Sequence, residues 1–309
     1  MSEKTIYDIV IIGGGPGGMT AGIYGGRAEL KTLILEKQFH GGQMVSTNEI
    51  ENYPALPDTN GIELSNAMLE HAKRFGAEIR YNGVDKIEVL EDGLKKLTVG
   101  EDEILTKSVI LSMGATSRKL GIPNEEKFTG RGVGYCAICD GGFYRNKVVA
   151  VNGGGDTAVE DALYLSRIAS KVYLIHRRDE LRANKTLQTR LFESDVEVVW
   201  NSTIKKVVGE DKTEAIITVD KTDGSERRID IDGLFVAIGS NPNSELVKDL
   251  VELAPNGYII TDEDCKTSVE GIFAIGDIRK KSLRQIITAA ADGAIAVHSA
   301  EKYILENFK

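Results

Sequence analysis

Cys136 and Cys139 frame the pentapeptide Cys136-Ala137-Ile138-Cys139-Asp140. A vicinal thiol pair passes two electrons by opening and closing a disulfide, at rates set by thiolate character and access. Asp140, directly after the pair, is a candidate general acid for a departing thiolate, although Asp before Gly-Gly is also a common turn cap. The pair lies about fourteen residues before the glycine-rich turn Gly153-Gly154-Gly155-Asp156-Thr157-Ala158. A similar turn, Gly13-Gly14-Gly15-Pro16-Gly17-Gly18, lies near the N-terminus. A glycine turn opening a helix offers backbone N–H groups and a positive dipole end to a pyrophosphate. Two such turns with one dithiol between them spell out an electron path.

The pattern G-x-G-x-x-G/A is met at Gly13/Gly15/Gly18 and at Gly153/Gly155/Ala158. Eighteen residues after Gly18 stands Glu36, an acid that accepts from both ribose hydroxyls and requires the 2′ position to be unphosphorylated. Eighteen residues after Ala158 stands His176, followed by Arg177 and Arg178. No carboxylate there repels a 2′-phosphate, and two guanidiniums are available to grip it. The first site is therefore expected to take FAD or NAD and the second NADP(H). One chain seldom needs two nicotinamides, so FAD is expected in the first.

The elements that must position these groups form a coarse repeat, offset by 140 residues. Ile6–Ile12 feeds the first turn, followed by a helix and the strand Thr32–Leu35. Lys147–Val151 feeds the second, followed by a helix and the strand Val172–Ile175. Short strands are predicted at 77–81, 84–90, 94–99 and 104–111, and again at 196–199, 204–208, 215–219 and 234–238. Residues 63–75 and 286–308 read as helices, the second packing on the first domain. The pattern predicts an α/β protein with two Rossmann-like three-layer ββα nucleotide-binding domains, the second inserted into the first. Residues 1–115 and 244–309 would bind FAD, and residues 116–243 would bind NADPH and carry the cysteine pair. Linkers are expected near 113–118 and 239–244.

The 309 residues and 33.6 kDa suit two domains, and a formal charge of −9 argues against nucleic acid. After Met1–Lys4 the apolar run is too short for a membrane span, and no signal peptide is expected. Three cysteines make no disulfide framework, which points to a reducing cytoplasm. Cys265 reads as a small buried residue. Trp200 reads as packing, and His40, His71 and His298 have no ligand spacing. Residues 118–147 carry six Lys/Arg against three acids, a patch that could steer an acidic partner.

The chain closely resembles the low-molecular-weight thioredoxin reductases over nearly its whole length. The resemblance rests on the two turns, Gly41-Gly42-Gln43, Glu51-Asn52-Tyr53-Pro54, the Cys136–Gly141 segment, His176-Arg177-Arg178-Asp179-Glu180-Leu181-Arg182-Ala183, Gly276-Asp277-Ile278-Arg279 and Arg284-Gln285-Ile286. It implies a homodimeric FAD enzyme that takes hydride from NADPH and reduces thioredoxin. Glu36, Gly42, Gln43, Asn52, Asp277 and Arg284–Ile286 would hold FAD. Asp156, Thr157, His176, Arg177, Arg178 and Arg182 would hold NADPH. Cys139 would face the flavin and Cys136 would attack the partner's disulfide. The dithiol must meet both flavin and partner, so rotation of the inserted domain about its linkers is expected. Ile138, Asn152 and Ser112-Met113-Gly114 depart from the family pattern.

A structural zinc site is disfavoured, because it needs four ligands and no second CxxC or paired histidines occur. A small thioredoxin-fold oxidoreductase would not need two nucleotide turns. The rival reading is a flavin disulfide reductase on the same fold that serves another protein disulfide or draws on NADH or ferredoxin.

Overall fold

A computed structural model describes residues 5–47, 50–56 and 58–308, and the Met1–Lys4 leader lies outside them. The chain divides into two compact units. One is built from the stretch up to Thr116 and the stretch from Asn241 on, and the other is Ser117–Ser240.

In the first unit the parallel strands Glu78–Arg80, Thr32–Leu35, Ile6–Ile12, Asp102–Leu111 and Ile272–Ala274 lie side by side in that order. Asp102–Leu111 serves two layers. Its end pairs with Ile272–Ala274, while its start pairs antiparallel with Lys95–Val99, which pairs in turn with Lys86–Val89. Successive strand residues point to opposite faces, so both faces must be apolar in a covered parallel sheet. Val10, Ile12, Leu33 and Leu35 pack on Ile87 and Leu97 of the antiparallel layer. Ile9, Ile11 and Ile34 pack on the helical layer through Ala21, Ala72 and Ala296. Each such buried Ile, Leu or Val is worth about 1.5–3 kcal/mol, so the two faces together fix the register. Helices Pro16–Arg27 and Ile286–Asn307 approach closely, because a Cβ on Gly17 would already lie 3.1 Å from the Ala289 carbonyl.

The second unit repeats the plan. Its parallel strands are Glu197–Val199, Lys171–Ile175, Val148–Gly153, Gly233–Ala237 and Val133–Gly134, in that order. Val149, Val151 and Leu174 pack under helix Asp156–Leu165. Ala150, Ile175 and Leu234 face the antiparallel strands Ser202–Val208, Ala215–Asp220 and Glu226–Asp230. Both units are thus three-layer, Rossmann-like α/β folds.

Among the elements not foreseen in the sequence, three have a plain reason. Strand Glu226–Asp230 carries one buried residue, Ile229, among four exposed charged ones, so alternation gives no signal. Strand Ile272–Ala274 is three residues held by a distant partner. Helix Lys185–Phe192 is short and buries only Leu187 and Leu191. The two connecting segments, expected as linkers, form the short strands Ala115–Ser117 and Ser240–Pro242, paired with each other. Among the described residues no helix is long and apolar enough to cross a membrane.

Candidate active site

The first turn is a backbone device. Gly13 has φ +108°, and a Cβ there would collide with the Ser112 carbonyl, so only glycine fits. Gly15 caps helix Pro16–Arg27 without any side-chain bond, Pro16 occupies the first turn, and the space beside Gly15 is open. The amide end of this helix is therefore free for an anion. Glu36 stands beside it, accepting from the Gly14 N–H at 2.7 Å and the Gln38 N–H at 3.0 Å. The Gly41 N–H donates to the Gly14 carbonyl at 2.7 Å, and a Cβ on Gly42 would lie 3.5 Å from Gly15 Cα. Gly42 and the exposed Gln43 thus follow a residue tied directly to the turn.

Helix Ile286–Asn307 begins at a reciprocal cap between Gln285 and Thr288, and Asn52 Nδ2 donates to Gln285 Oε1 at 3.0 Å. Arg284 lies over the Tyr258 ring at 4.2 Å and reaches back to the Asp277 carbonyl at 3.4 Å. The Asp277 carboxylate is half-buried and forms no ion pair within 4.0 Å among the described residues. Burial pushes it up from the ordinary carboxylate value, against the pull of Arg284 and Lys281. Asp292, which the sequence did not single out, fixes the turn bearing Asp277. It accepts from Gly276 N–H at 2.9 Å, Lys281 Nζ at 2.7 Å and Arg279 Nη1 at 3.1 Å. An open amide end, an acid at the ribose position and a half-buried carboxylate fit a dinucleotide such as FAD.

The second turn is built alike, with a different neighbour. Gly155 caps helix Asp156–Leu165 without a side-chain bond and again faces open space. His176 is buried, and its ring fills the space a Cβ on Gly154 would need. The His176 ring nitrogens lie 2.7 Å from the Gly153 carbonyl and 2.9 Å from the Glu180 carbonyl. The ring therefore braces the turn, with neither nitrogen left open to a phosphate. Arg177, Arg178 and Arg182 are exposed and form no ion pair among the described residues. Asp156, expected as a cofactor contact, accepts through Oδ1 from the Asn184 N–H at 2.7 Å and Asn184 Nδ2 at 3.2 Å. Thr157 is exposed beside it. Asn152, unusual in an apolar strand, is buried and directs Nδ2 to the Ile175 carbonyl at 3.4 Å. An open amide end beside free guanidiniums fits a 2′-phosphorylated dinucleotide.

Cys136 and Cys139 are joined by a disulfide at the start of the single-turn helix Ala137–Asp140. The Cys139 N–H donates to Cys136 Sγ at 3.2 Å. Ala137 is buried in the core while Ile138 is 45% exposed, so the pair is anchored on one side and open on the other. Asp140 makes no side-chain capping bond, which removes the capping explanation for it. Burial pushes its carboxyl up to about 6. Its Oδ2 rests over Gly134, where a Cβ would lie 3.0 Å away. Tyr135 donates its hydroxyl to the buried Glu125 at 3.0 Å, and Glu125 also takes the Leu120 and Gly121 N–H groups at 2.8 Å. That bond pins the residue before Cys136, another contact the sequence pattern did not reveal. Among the described residues no group of three His, Cys, Asp or Glu could hold a metal ion.

Two glycine-turn nucleotide folds and a disulfide within one of them define a nucleotide-dependent disulfide oxidoreductase. The chain belongs to the pyridine nucleotide-disulphide oxidoreductase family, whose model matches residues 7–293. It is 47% identical to thioredoxin reductase of Bacillus subtilis over 99% of this chain and 97% of that protein. It is 46% identical to thioredoxin reductase of Listeria monocytogenes over 99% of this chain and 96% of that protein. The crystal structure of thioredoxin reductase from Streptococcus pyogenes superposes with a TM-score of 0.93 at 44% identity, over 99% of this chain and 100% of that one.

Proposed function

We propose that this chain is an NADPH-dependent thioredoxin-disulfide reductase with FAD as its resident cofactor. The observation that carries the reading is the Cys136–Cys139 disulfide, held in the same unit as an open glycine turn and three free guanidiniums. Full-length likeness to thioredoxin reductases of two bacteria supports it.

In this reading the first unit would hold FAD, with the open amide end at Gly15 suited to a pyrophosphate, Glu36 to a ribose and Asp277 as a further polar contact. The Asn52–Gln285 pair and the Arg284–Ile286 segment close that site. NADPH binds in the second unit, with its pyrophosphate at Gly155 and its 2′-phosphate at Arg177, Arg178 and Arg182. Bound FAD supplies the two-electron chemistry that carries hydride equivalents from NADPH to the disulfide. The protein's own groups manage the rest. Cys136, as thiolate, attacks one sulfur of the thioredoxin disulfide, forming a mixed disulfide and expelling the other sulfur with its electron pair. Asp140 protonates that leaving sulfur, a role suited to a carboxyl pushed up to about 6. Cys139 then attacks Cys136, restores the internal disulfide and releases the reduced partner. The Cys139 N–H aimed at Cys136 Sγ steadies negative charge there while the pair is open.

Homodimerisation, a cytoplasmic location and rotation of the second unit about its connecting strands belong to the same proposal. A crosslink between the units that left turnover unchanged would sink the rotation. The whole reading is tested by anaerobic titration with NADPH and separately with NADH, followed by thioredoxin and a disulfide reporter. Flavin bleaching by NADPH at far lower concentration than NADH, then reporter reduction dependent on thioredoxin, is expected. A flavin that NADPH leaves oxidised refutes it.

A further inference from the structure

The carboxylate of Asp156 looks misplaced. It is the first residue of helix Asp156–Leu165, beside the amide end proposed to receive a pyrophosphate, where a negative charge would repel the ligand. Its hydrogen bonds explain it. Asp156 Oδ1 accepts both the backbone and the side-chain N–H of Asn184, at 2.7 and 3.2 Å. Asn184 Oδ1 in turn caps the next helix, Lys185–Phe192, by accepting from Leu187 N–H at 3.0 Å. Asp156 and Asn184 thus bind two helix starts to each other.

Two further bonds join the same segments. His176 braces the Gly153 carbonyl, and the Arg182 N–H donates to the Gly154 carbonyl at 2.7 Å. The turn residues 153, 154 and 156 therefore meet 176, 182 and 184 in ascending order. Between these fastenings run Arg177, Arg178, Asp179, Glu180 and Leu181. The stretch 177–182 holds three arginines and two acids, a net charge of only +1. Net charge that small gives weak preference for a dianion. The preference must come from which side chains face the phosphate, and that needs a loop of fixed geometry. Asn184 lies eight positions after His176, a reach of roughly 26–29 Å if extended, so an unfastened loop could present its acids as readily as its arginines.

We propose that Asp156 is a positioning residue for NADPH selectivity, acting through Asn184 to hold the arginine loop at a set distance from the glycine turn. This rests on the reading that the second unit binds NADPH. It assigns the carboxylate no contact with the nucleotide.

The test uses the FAD-loaded enzyme and two fragments, 2′,5′-ADP and 5′-AMP, with affinities measured by calorimetry. Asp156→Ala is expected to weaken 2′,5′-ADP about tenfold, or about 1.4 kcal/mol, and to leave 5′-AMP within about twofold. Asp156→Asn keeps an acceptor for Asn184 and is expected to restore 2′,5′-ADP binding. Asn184→Pro approaches from the other side, removing both donors at a position whose φ of −62° suits proline. It is expected to show the same selective loss. Amide exchange over residues 177–184 should quicken in Asp156→Ala without ligand. Equal weakening of both fragments, or no weakening of either, overturns the proposal. A wild-type enzyme that binds the two fragments alike refutes instead the assignment of NADPH to this unit.

Discussion

Arg182 donates its backbone N–H to the Gly154 carbonyl at 2.7 Å, and in the other unit Gly41 makes the same bond to Gly14 at 2.7 Å. In both units the second glycine of the turn is fastened to the loop that follows the second strand. The two copies then diverge in what fills the selector position. In the first, Glu36 takes the Gly14 N–H itself and remains half-exposed. In the second, the His176 ring lies under Gly154, and Arg177 and Arg178 follow it on the surface together with Asp179 and Glu180. One backbone plan thus carries two different selector positions, and the proposed nucleotide preferences rest on that difference.

The Glu36 contact leads to a first prediction. Glu36→Ala leaves the Gly14 N–H without its acceptor and removes the proposed ribose anchor. An unmatched donor of this kind costs about 1–3 kcal/mol, so FAD affinity should fall about ten- to a hundredfold. The ratio of flavin to protein absorbance after dialysis measures it. Glu36→Gln keeps an acceptor for Gly14 and should lose less. Full flavin retention in Glu36→Ala would show that the turn binds without help from this acid.

Arg177 and Arg178 form no internal ion pair among the described residues, so their removal should disturb little but the ligand. Arg177→Ala and Arg178→Ala should each raise KM for NADPH about tenfold or more, since charge-assisted bonds are worth about 1.5–3 kcal/mol. KM for NADH and flavin content should stay within about twofold. Steady-state kinetics with both nucleotides decide it, and a parallel rise in both KM values would count against a 2′-phosphate contact.

Much of this site was legible in the sequence because its parts are local. The turns announce themselves by glycine spacing, and Glu36 and His176 follow at a fixed distance set by one helix and one strand. The covered strands, apolar on both faces, were readable for the same reason. What escaped are contacts closed by the fold. Asn184 meets Asp156 across 28 residues, and Tyr135 meets Glu125 only because a short helix turns back. Asp292 reaches Gly276 from a helix whose sequence shows only small residues there. The role expected of Asp156 was implied by resemblance, and a matching motif does not show that the carboxylate is already engaged by Asn184.

Cys265 was read as a small buried residue, and it is fully buried in the first unit. Burial pushes its thiol up to about 12 although Arg279 Nη1 lies 3.1 Å from Sγ. Reactive thiols need thiolate and access, and Cys265 has neither. Alkylation of the NADPH-reduced native enzyme at about pH 8 should therefore count two thiols, with the third appearing only in denaturant. Mass spectrometry of the alkylated peptides identifies them. Rapid labelling of Cys265 in the native protein would contradict its burial.

Asp140 yields a prediction that separates catalysis from stability. Its carboxyl sits at about 6 in the folded protein, against an ordinary value of 3.8 in the unfolded chain, because burial disfavours the charged form. Between those values the folded state binds more protons than the unfolded state. Stability therefore falls as pH rises through that window, and the cost is fully present above it. Asp140→Asn removes a charge that folding must bury, so it should raise Tm at about pH 8 and change it little at about pH 4. The same substitution removes the proton donor and should slow thioredoxin-dependent turnover on the order of a hundredfold. In the wild type, exchange should slow as pH rises above about 6 and the acid empties, and that limb should vanish in Asp140→Asn. Thermal melts at both pH values and a pH profile of single-turnover partner reduction check the two halves separately. A variant that melts lower at about pH 8 would show that the Asp140 carboxylate is stabilised by something other than its surroundings suggest, and a retained alkaline limb would assign the proton to another group.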